Sequence, residues 1–322
     1  MKYSFVLVVF VIFSSPSFSQ KILEINYDQD AQGNTTFYCN NSGYCDFILQ
    51  IEFTSLNNAT ADRPLPYREE IKPGKTRLFK LSKQVVENPM GFRFKTTYVK
   101  GCMMPKINPD FIYLLPIAPG KEAQAYEMVN LNEQKKASAT PMVNGQELIP
   151  NPKDWYVIRL RMKPGDTIYS ARRGVVTEVQ VNSNLNDSGV ASAGHENYLE
   201  IVHEDCSFGH YGVFKRNSAF VKPGQTVEAG QPIGLVGGDR FGRGSEARFS
   251  VFYNIQTTDS QNVKGVFSAY VPLKFWTRNN GASKLRHGAS YVCEDPPQII
   301  NQEKIVEAKK PKPKAKPKSG AK

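Results

Sequence analysis

Residues Gly237–Ser250 read GGDRFGRGSEARFS. A glycine-rich turn runs into Glu246-Ala247-Arg248-Phe249, where polar and apolar residues alternate, and then into Val251-Phe252-Tyr253. Period-two alternation marks a strand with one face in a core. Glu246 and Arg248, two apart, share a face. No helix pattern follows the glycines, so the turn is not a phosphate-binding loop.

Similar patterns flank it. Tyr156–Met162, Thr167–Tyr169, Gly174–Val181, Tyr198–His203 and the segments near 208–214 and 247–255 read as strands. Lys163-Pro164-Gly165-Asp166 and Lys222-Pro223-Gly224-Gln225 read as turns between them. Asn182–Gly194 is a Ser/Asn/Gly-rich loop, and Val271–Glu307 fits no clear class. Upstream, Lys21–Tyr27, Cys45–Phe53, Thr76–Leu81 and Phe92–Val99 are short runs, several of them alternating, separated by Gly, Asn, Asp and Pro. Helical periodicity is weak throughout. The expected fold is mainly β: an N-terminal immunoglobulin-like β-sandwich followed by a second antiparallel β domain.

The N-terminus predicts a signal peptide over residues 1–19. Lys2 supplies the positive start, Phe5–Phe13 the apolar stretch, and Ser17-Phe18-Ser19 the small residues before Gln20. The apolar stretch is too short to span a bilayer and no later one approaches the required length, so the expected chain is exported, periplasmic or extracellular, and not membrane-spanning. The remaining chain divides into a sandwich over 20–112, a second domain over 113–300 and a Lys/Pro-rich tail over 301–322. The net charge of +11 is concentrated in that tail: Lys309–Lys322 holds seven lysines and no acid. Without those seven and Lys2 the folded part carries about +3. The tail self-repels, stays extended and suits an anionic surface. It lacks the interleaved aromatics of a nucleic-acid binder. Five cysteines suit an oxidising compartment. Cys39 and Cys45 flank the turn Asn40–Tyr44 and are the first candidates for a disulfide; either with Cys102 is the next.

Four stretches together resemble the lysostaphin-type (LytM) zinc peptidases, which cleave peptidoglycan. Tyr156–Lys163 is followed, after a Pro, by Gly165-Asp166-Thr167-Ile168-Tyr169-Ser170-Ala171-Arg172-Arg173-Gly174-Val175-Val176. Next come Asn197-Tyr198-Leu199-Glu200-Ile201-Val202-His203-Glu204-Asp205, then Phe208-Gly209-His210-Tyr211, then Val221–Gly234. Order and spacing are similar to the family pattern over roughly 112–255, which implies a duplicated-hybrid-motif-like antiparallel domain. In Gly237–Ser250 the family's turn leads to His-x-His; here Glu246 and Arg248 stand at those two positions.

The resemblance implies three zinc ligands: a His, an Asp a few residues later, and the second His of His-x-His. No His precedes His195, Arg159 stands at the Asp position and Arg248 at the last. Zinc needs lone-pair donors, and a guanidinium has none. No metal and no cofactor are therefore expected, and His210 is the one vestige of the catalytic set. His203 falls outside the metal positions, and His195 and His287 carry no motif. Arg159, Arg161, His210, Glu246 and Arg248 become candidates for one groove, either as a self-balancing charge cluster or with Arg159 and Arg248 clamping a carboxylate of a peptidoglycan stem peptide. The expected protein is a pseudoenzyme that binds peptidoglycan or regulates or docks a cell-wall hydrolase or other envelope protein, since degenerate members of the family activate cell-wall amidases. The alternatives are an active zinc-dependent peptidoglycan endopeptidase with displaced ligands, and a purely structural envelope or secretion-related interaction protein.

Overall fold

A computed structural model describes residues 22–128, 156–184, 196–239, 244–258 and 264–295, with two short strands at 142–143 and 146–147. The signal segment, most of the 182–194 loop, His195 and the Lys/Pro tail lie outside the described residues. Every regular element among the described residues is a strand. No helix there is long and apolar enough to cross a membrane.

The first unit, up to Tyr98, is built from β1 (Leu23–Gln29), β2 (Thr35–Asn41), β3 (Phe47–Asn57), β4 (Ala59–Ala61), β5 (Tyr67–Ile71), β6 (Gly74–Lys83) and β7 (Gly91–Lys100). They form one sheet in the order β1-β2-β6-β4 and another in the order β5-β3-β7, a four-on-three sandwich with the strand count of a small immunoglobulin-type domain. Phe37 joins the two layers: it stacks on Phe79 at 4.6 Å within its own sheet and meets Phe53 at 6.1 Å and Phe94 at 5.5 Å from the other.

The disulfide expectation at Cys39 and Cys45 is overturned. Both are buried and not joined by a disulfide, and the bridge joins Cys102 to Cys206. Asn41 organises the intervening turn without a covalent link. Its amide donates to the carbonyls of Cys45 and Ile71, both at 3.0 Å, and accepts from Gly43 N at 2.9 Å. Burial pushes the Cys39 thiol up to about 11, which keeps it protonated and poorly nucleophilic.

The second unit begins at Val99, where the sequence placed the boundary near 112. Residues 99–112 are tied within it by Cys102 and by ion pairs from Lys100 to Glu178 at 3.0 Å and from Asp110 to Lys274 at 2.6 Å. Its strands begin with β8 (Ile112–Leu114), β9 (Glu122–Glu127), the short β10 (Met142–Val143) and β11 (Gln146–Glu147), β12 (Ile158–Arg161) and β13 (Thr167–Tyr169). β14 (Gly174–Gln180), β15 (Tyr198–Val202), β16 (Phe208–Gly212), β17 (Phe214–Ala219), β18 (Thr226–Val227) and β19 (Pro232–Val236) follow. The last are β20 (Glu246–Thr258), β21 (Lys264–Tyr270), β22 (Lys274–Thr277), β23 (Gly281–Ser283) and β24 (Ser290–Val292).

The central sheet runs β18-β14-β15-β16-β20-β12-β9-β24, with β21 also on β20. A small sheet β13-β19-β17 and another, β23-β22-β8, complete the unit. Pairing is antiparallel except between β22 and β8. Lys163–Asp166 closes as a turn, with Asp166 N on Lys163 O at 3.0 Å and Gly165 at φ +77°, a conformation that glycine enters without a Cβ clash. Ile158, Leu160, Leu199, Tyr211, Phe249 and Val251 point into one core and are essentially inaccessible.

The Cys102–Cys206 bridge closes a loop with a sequence separation of 104. Restricting so long a loop in the unfolded chain stabilises by roughly 2–5 kcal/mol. The paired C102S/C206S change is therefore expected to lower the unfolding free energy by that amount, and with it the denaturant midpoint, while leaving the far-ultraviolet dichroism of the folded protein unchanged. An unaltered midpoint would show that the bridge contributes nothing.

Candidate functional site

The two faces of the central sheet differ in kind. Phe249 and its neighbours face the core, so the alternate residues must face the other way. Glu246, Arg248 and Ser250 on β20, Arg159 on β12, His210 and Gly212 on β16, and Glu200 on β15 are placed together by register: Arg159 opposite Arg248, Gly212 opposite Arg248, His210 opposite Ser250 and Glu200 opposite His210. Glu200, Glu246, Arg248 and Ser250 are all buried. This face is an internal polar layer.

Two arginines directly opposite each other repel. Glu246 resolves that conflict. Its Oε2 accepts from Arg159 Nη1 at 3.2 Å and its Oε1 from Arg248 Nε at 2.9 Å. Arg248 Nη1 then donates to Glu196 Oε2. Glu196 lies over β16 because Gly212 has no side chain: a Cβ there would come within 2.6 Å of Glu196 Oε1. Burial pushes the Glu196 carboxyl up, and Glu246 adds to that, against the pull of Arg248 and His210. Arg159 and Arg161 each place the guanidinium carbon 5.5 Å from the centroid of the Tyr126 ring.

Beside this chain lies a second one. His210 Nδ1 faces Glu200 Oε1 at 3.3 Å, and Lys100 Nζ donates to Glu200 Oε2 and, at 3.0 Å, to Glu178 Oε2. Glu178 also accepts from Tyr198 OH at 2.5 Å, and the Tyr198 ring stacks on His210 with centroids 5.0 Å apart. Burial pushes Glu200 up, but the hydrogen bond from His210 and the charge of Lys100 more than offset it, holding the carboxyl at about 2. Lys100 is raised well above the ordinary lysine range: burial works against its charge, and Glu200 and Glu178 prevail.

All five groove candidates, Arg159, Arg161, His210, Glu246 and Arg248, fall on this face. The proposed carboxylate clamp of Arg159 and Arg248 is already filled by the protein's own Glu246. Glu196, Glu200, Glu178, Tyr198 and Lys100 were missed. The period-two spacing of Glu200 with Tyr198 was readable, but Lys100 lies a hundred residues from its partner Glu200.

The other histidines stand elsewhere. His287 meets the Tyr126 ring edge-on at 5.4 Å. His203 is buried, its Nδ1 2.8 Å from Arg173 O, and burial together with nearby Arg172 lowers it to about 4, so it is neutral. Arg172 in turn pairs with Asp205 at 2.7 Å and lies over the Phe111 ring at 3.8 Å. This cluster fastens the 203–207 turn.

The groove residues do not fit a zinc ion. Both oxygens of Glu246 are taken by guanidinium groups. Among the described residues of this groove, no three His, Cys, Asp or Glu side chains bring their ligand atoms within 4.8 Å of one another. The fixed charges of Arg159 and Arg248 would add a repulsion of roughly several kcal/mol toward a dication, even at an effective dielectric near 20.

Two measurements probe the layer. Removing the charge of Glu246 leaves Arg159 without its ion-pair partner opposite Arg248, which keeps only Glu196, so E246Q is expected to cost about 3–5 kcal/mol of folding stability by denaturant titration. Glu200 has a folded-state value of about 2 against 4.5 as its reference. Its contribution is thus complete above pH 4.5 and is lost as the pH falls from there toward 2. E200Q should flatten the stability–pH curve in that window, a difference on the order of 3 kcal/mol between its ends. Curves of equal slope for E200Q and wild type would sink the assignment.

The family model for Peptidase family M23 matches residues 153–263. No curated protein matches the chain. Among solved structures, the catalytic domain of the antimicrobial peptidase lysostaphin from Staphylococcus simulans is 20% identical, covering 41% of this chain and 78% of that one, with a TM-score of 0.24. Csd3 from Helicobacter pylori is 13% identical over 81% of this chain and 77% of its own, with a TM-score of 0.29. A zinc-containing peptidase from Vibrio cholerae is 14% identical over 70% and 81%, with a TM-score of 0.27. Residues 153–263 are thus similar to Peptidase family M23.

Proposed function

We propose that this protein is an exported, non-catalytic member of a metallopeptidase family that acts in the cell envelope by binding, with peptidoglycan or a cell-wall hydrolase as its partner. One observation supports the reading above the others: Glu246 is gripped by Arg159 and Arg248 where the sequence pattern of zinc peptidases would put metal ligands. A buried, internally paired ion layer supplies rigidity and shape. It offers no electrophile to polarise a peptide carbonyl and no activated water. The signal-like N-terminus and the lysine-rich C-terminal tail are consistent with export and with attachment to an anionic polymer.

Elemental analysis of the full chain, purified without chelator and then dialysed against zinc, is expected to find well under one zinc per chain and no release of muropeptides from sacculi. About one tightly held zinc, together with cleavage, would overturn the proposal in favour of an active endopeptidase. Sedimentation with purified sacculi is expected to retain the protein, with binding weakened by added salt. Recovery of a stable envelope-protein complex and no sacculus binding would leave the docking role alone.

A further inference from the structure

β12 and β21 share one edge of β20. β12 pairs with Glu246–Phe249 and β21 with Phe252–Thr258, both on the edge away from β16. Ser250 falls between the two pairings, and there the sheet opens into a cavity of about 350 Å³. Glu196, Glu200, His210, Arg248 and Ser250 line its polar side, and Met128, Val157, Phe252 and Tyr270 its apolar side. Met128 N donates to Val157 O at 3.0 Å, which fixes that apolar wall.

The charges around the polar side are unequal. Glu178, Glu196, Glu200 and Glu246 are joined to three permanent cations, Lys100, Arg159 and Arg248. The cavity wall itself carries two carboxylates, Glu196 and Glu200, and one guanidinium, Arg248. Glu196 Oε2 is engaged by Arg248, while its Oε1 has no partner among the described residues. Gly212 keeps space clear at that oxygen. An anionic ligand would meet Glu196 and Glu200. For a divalent metal ion no three ligand atoms converge here among the described residues. A quaternary ammonium has no N–H to give. A primary ammonium has three donors and one charge.

We propose that this cavity binds a primary ammonium group carried on a short apolar stem, the ammonium donating to Glu196 Oε1 with Ser250 and Glu200 beside it, and the stem lying against Met128, Val157, Phe252 and Tyr270. Lysine-like side chains and free amino termini of short peptides belong to this class. The site depends only on the cavity and its charges, so its failure would leave the envelope reading standing.

The test is calorimetric titration of n-butylammonium chloride into the full-length protein at neutral pH, with sodium butyrate and tetramethylammonium chloride at matched ionic strength. Saturable binding is expected for butylammonium and at least tenfold weaker binding for the other two. E196Q is expected to weaken butylammonium tenfold or more with its dichroism unchanged, and Y270A several-fold through the stem alone. Should E196Q fail to fold, G212A takes its place, because its Cβ displaces Glu196 without removing charge and should produce a similar loss. Butylammonium binding no tighter than tetramethylammonium, or unaltered affinity in a folded E196Q or G212A variant, would overturn the proposal.

Discussion

Arg159 and Arg248 face each other across adjacent strands, and the carboxylate of Glu246 between them makes that register tolerable. Like charges opposite one another destabilise a sheet, and buried they cannot be screened by water. A carboxylate two residues along β20 reaches both guanidinium groups at once. Much else on this face follows from that constraint. Arg248, having given Nε to Glu246, turns Nη1 to Glu196. Glu196 needs the gap above Gly212. The order runs from strand register to ion pair to the shape of the groove.

Much of this was legible from local spacing. The alternation in Glu246–Ser250 put Glu246 and Arg248 on one face, and the strands around 158–161, 174–180, 198–202 and 208–212 followed from the same periodicity. What the sequence could not supply was long-range. Lys100 meets Glu200 and Glu178 only because residues 99–112 pack with the second unit and are held there by a bridge to Cys206. Spacing favours a short link between Cys39 and Cys45, since a tight turn separates them. The structure instead fills that turn with the amide of Asn41, whose hydrogen bonds make a covalent closure unnecessary. β2, β4 and β5 went unread as well: β4 is three residues long, and β5 presents Arg68, Glu69 and Glu70 between its two buried ends.

The architecture tolerates such different chemistry on one side because a strand's two faces are independent. Ala247, Phe249 and Val251 belong wholly to the core, and that core also holds Leu160, Tyr211 and Leu199 from neighbouring strands. Their packing determines whether the sheet forms. Glu246, Arg248 and Ser250, one residue out of phase, are required only to satisfy one another. Any set of side chains on that face that pairs its charges and fills its volume is compatible with the same backbone, whether the set holds a metal, an ammonium group or only itself. Gly165, Asn197 and Ile233, which build turns and core, answer to backbone geometry and packing. Asn197, for instance, donates from Nδ2 to Ser183 O at 2.9 Å and Phe214 O at 3.1 Å, a purely structural role that no change on the polar face would release. Fold and chemistry are therefore written on alternate residues of the same strand.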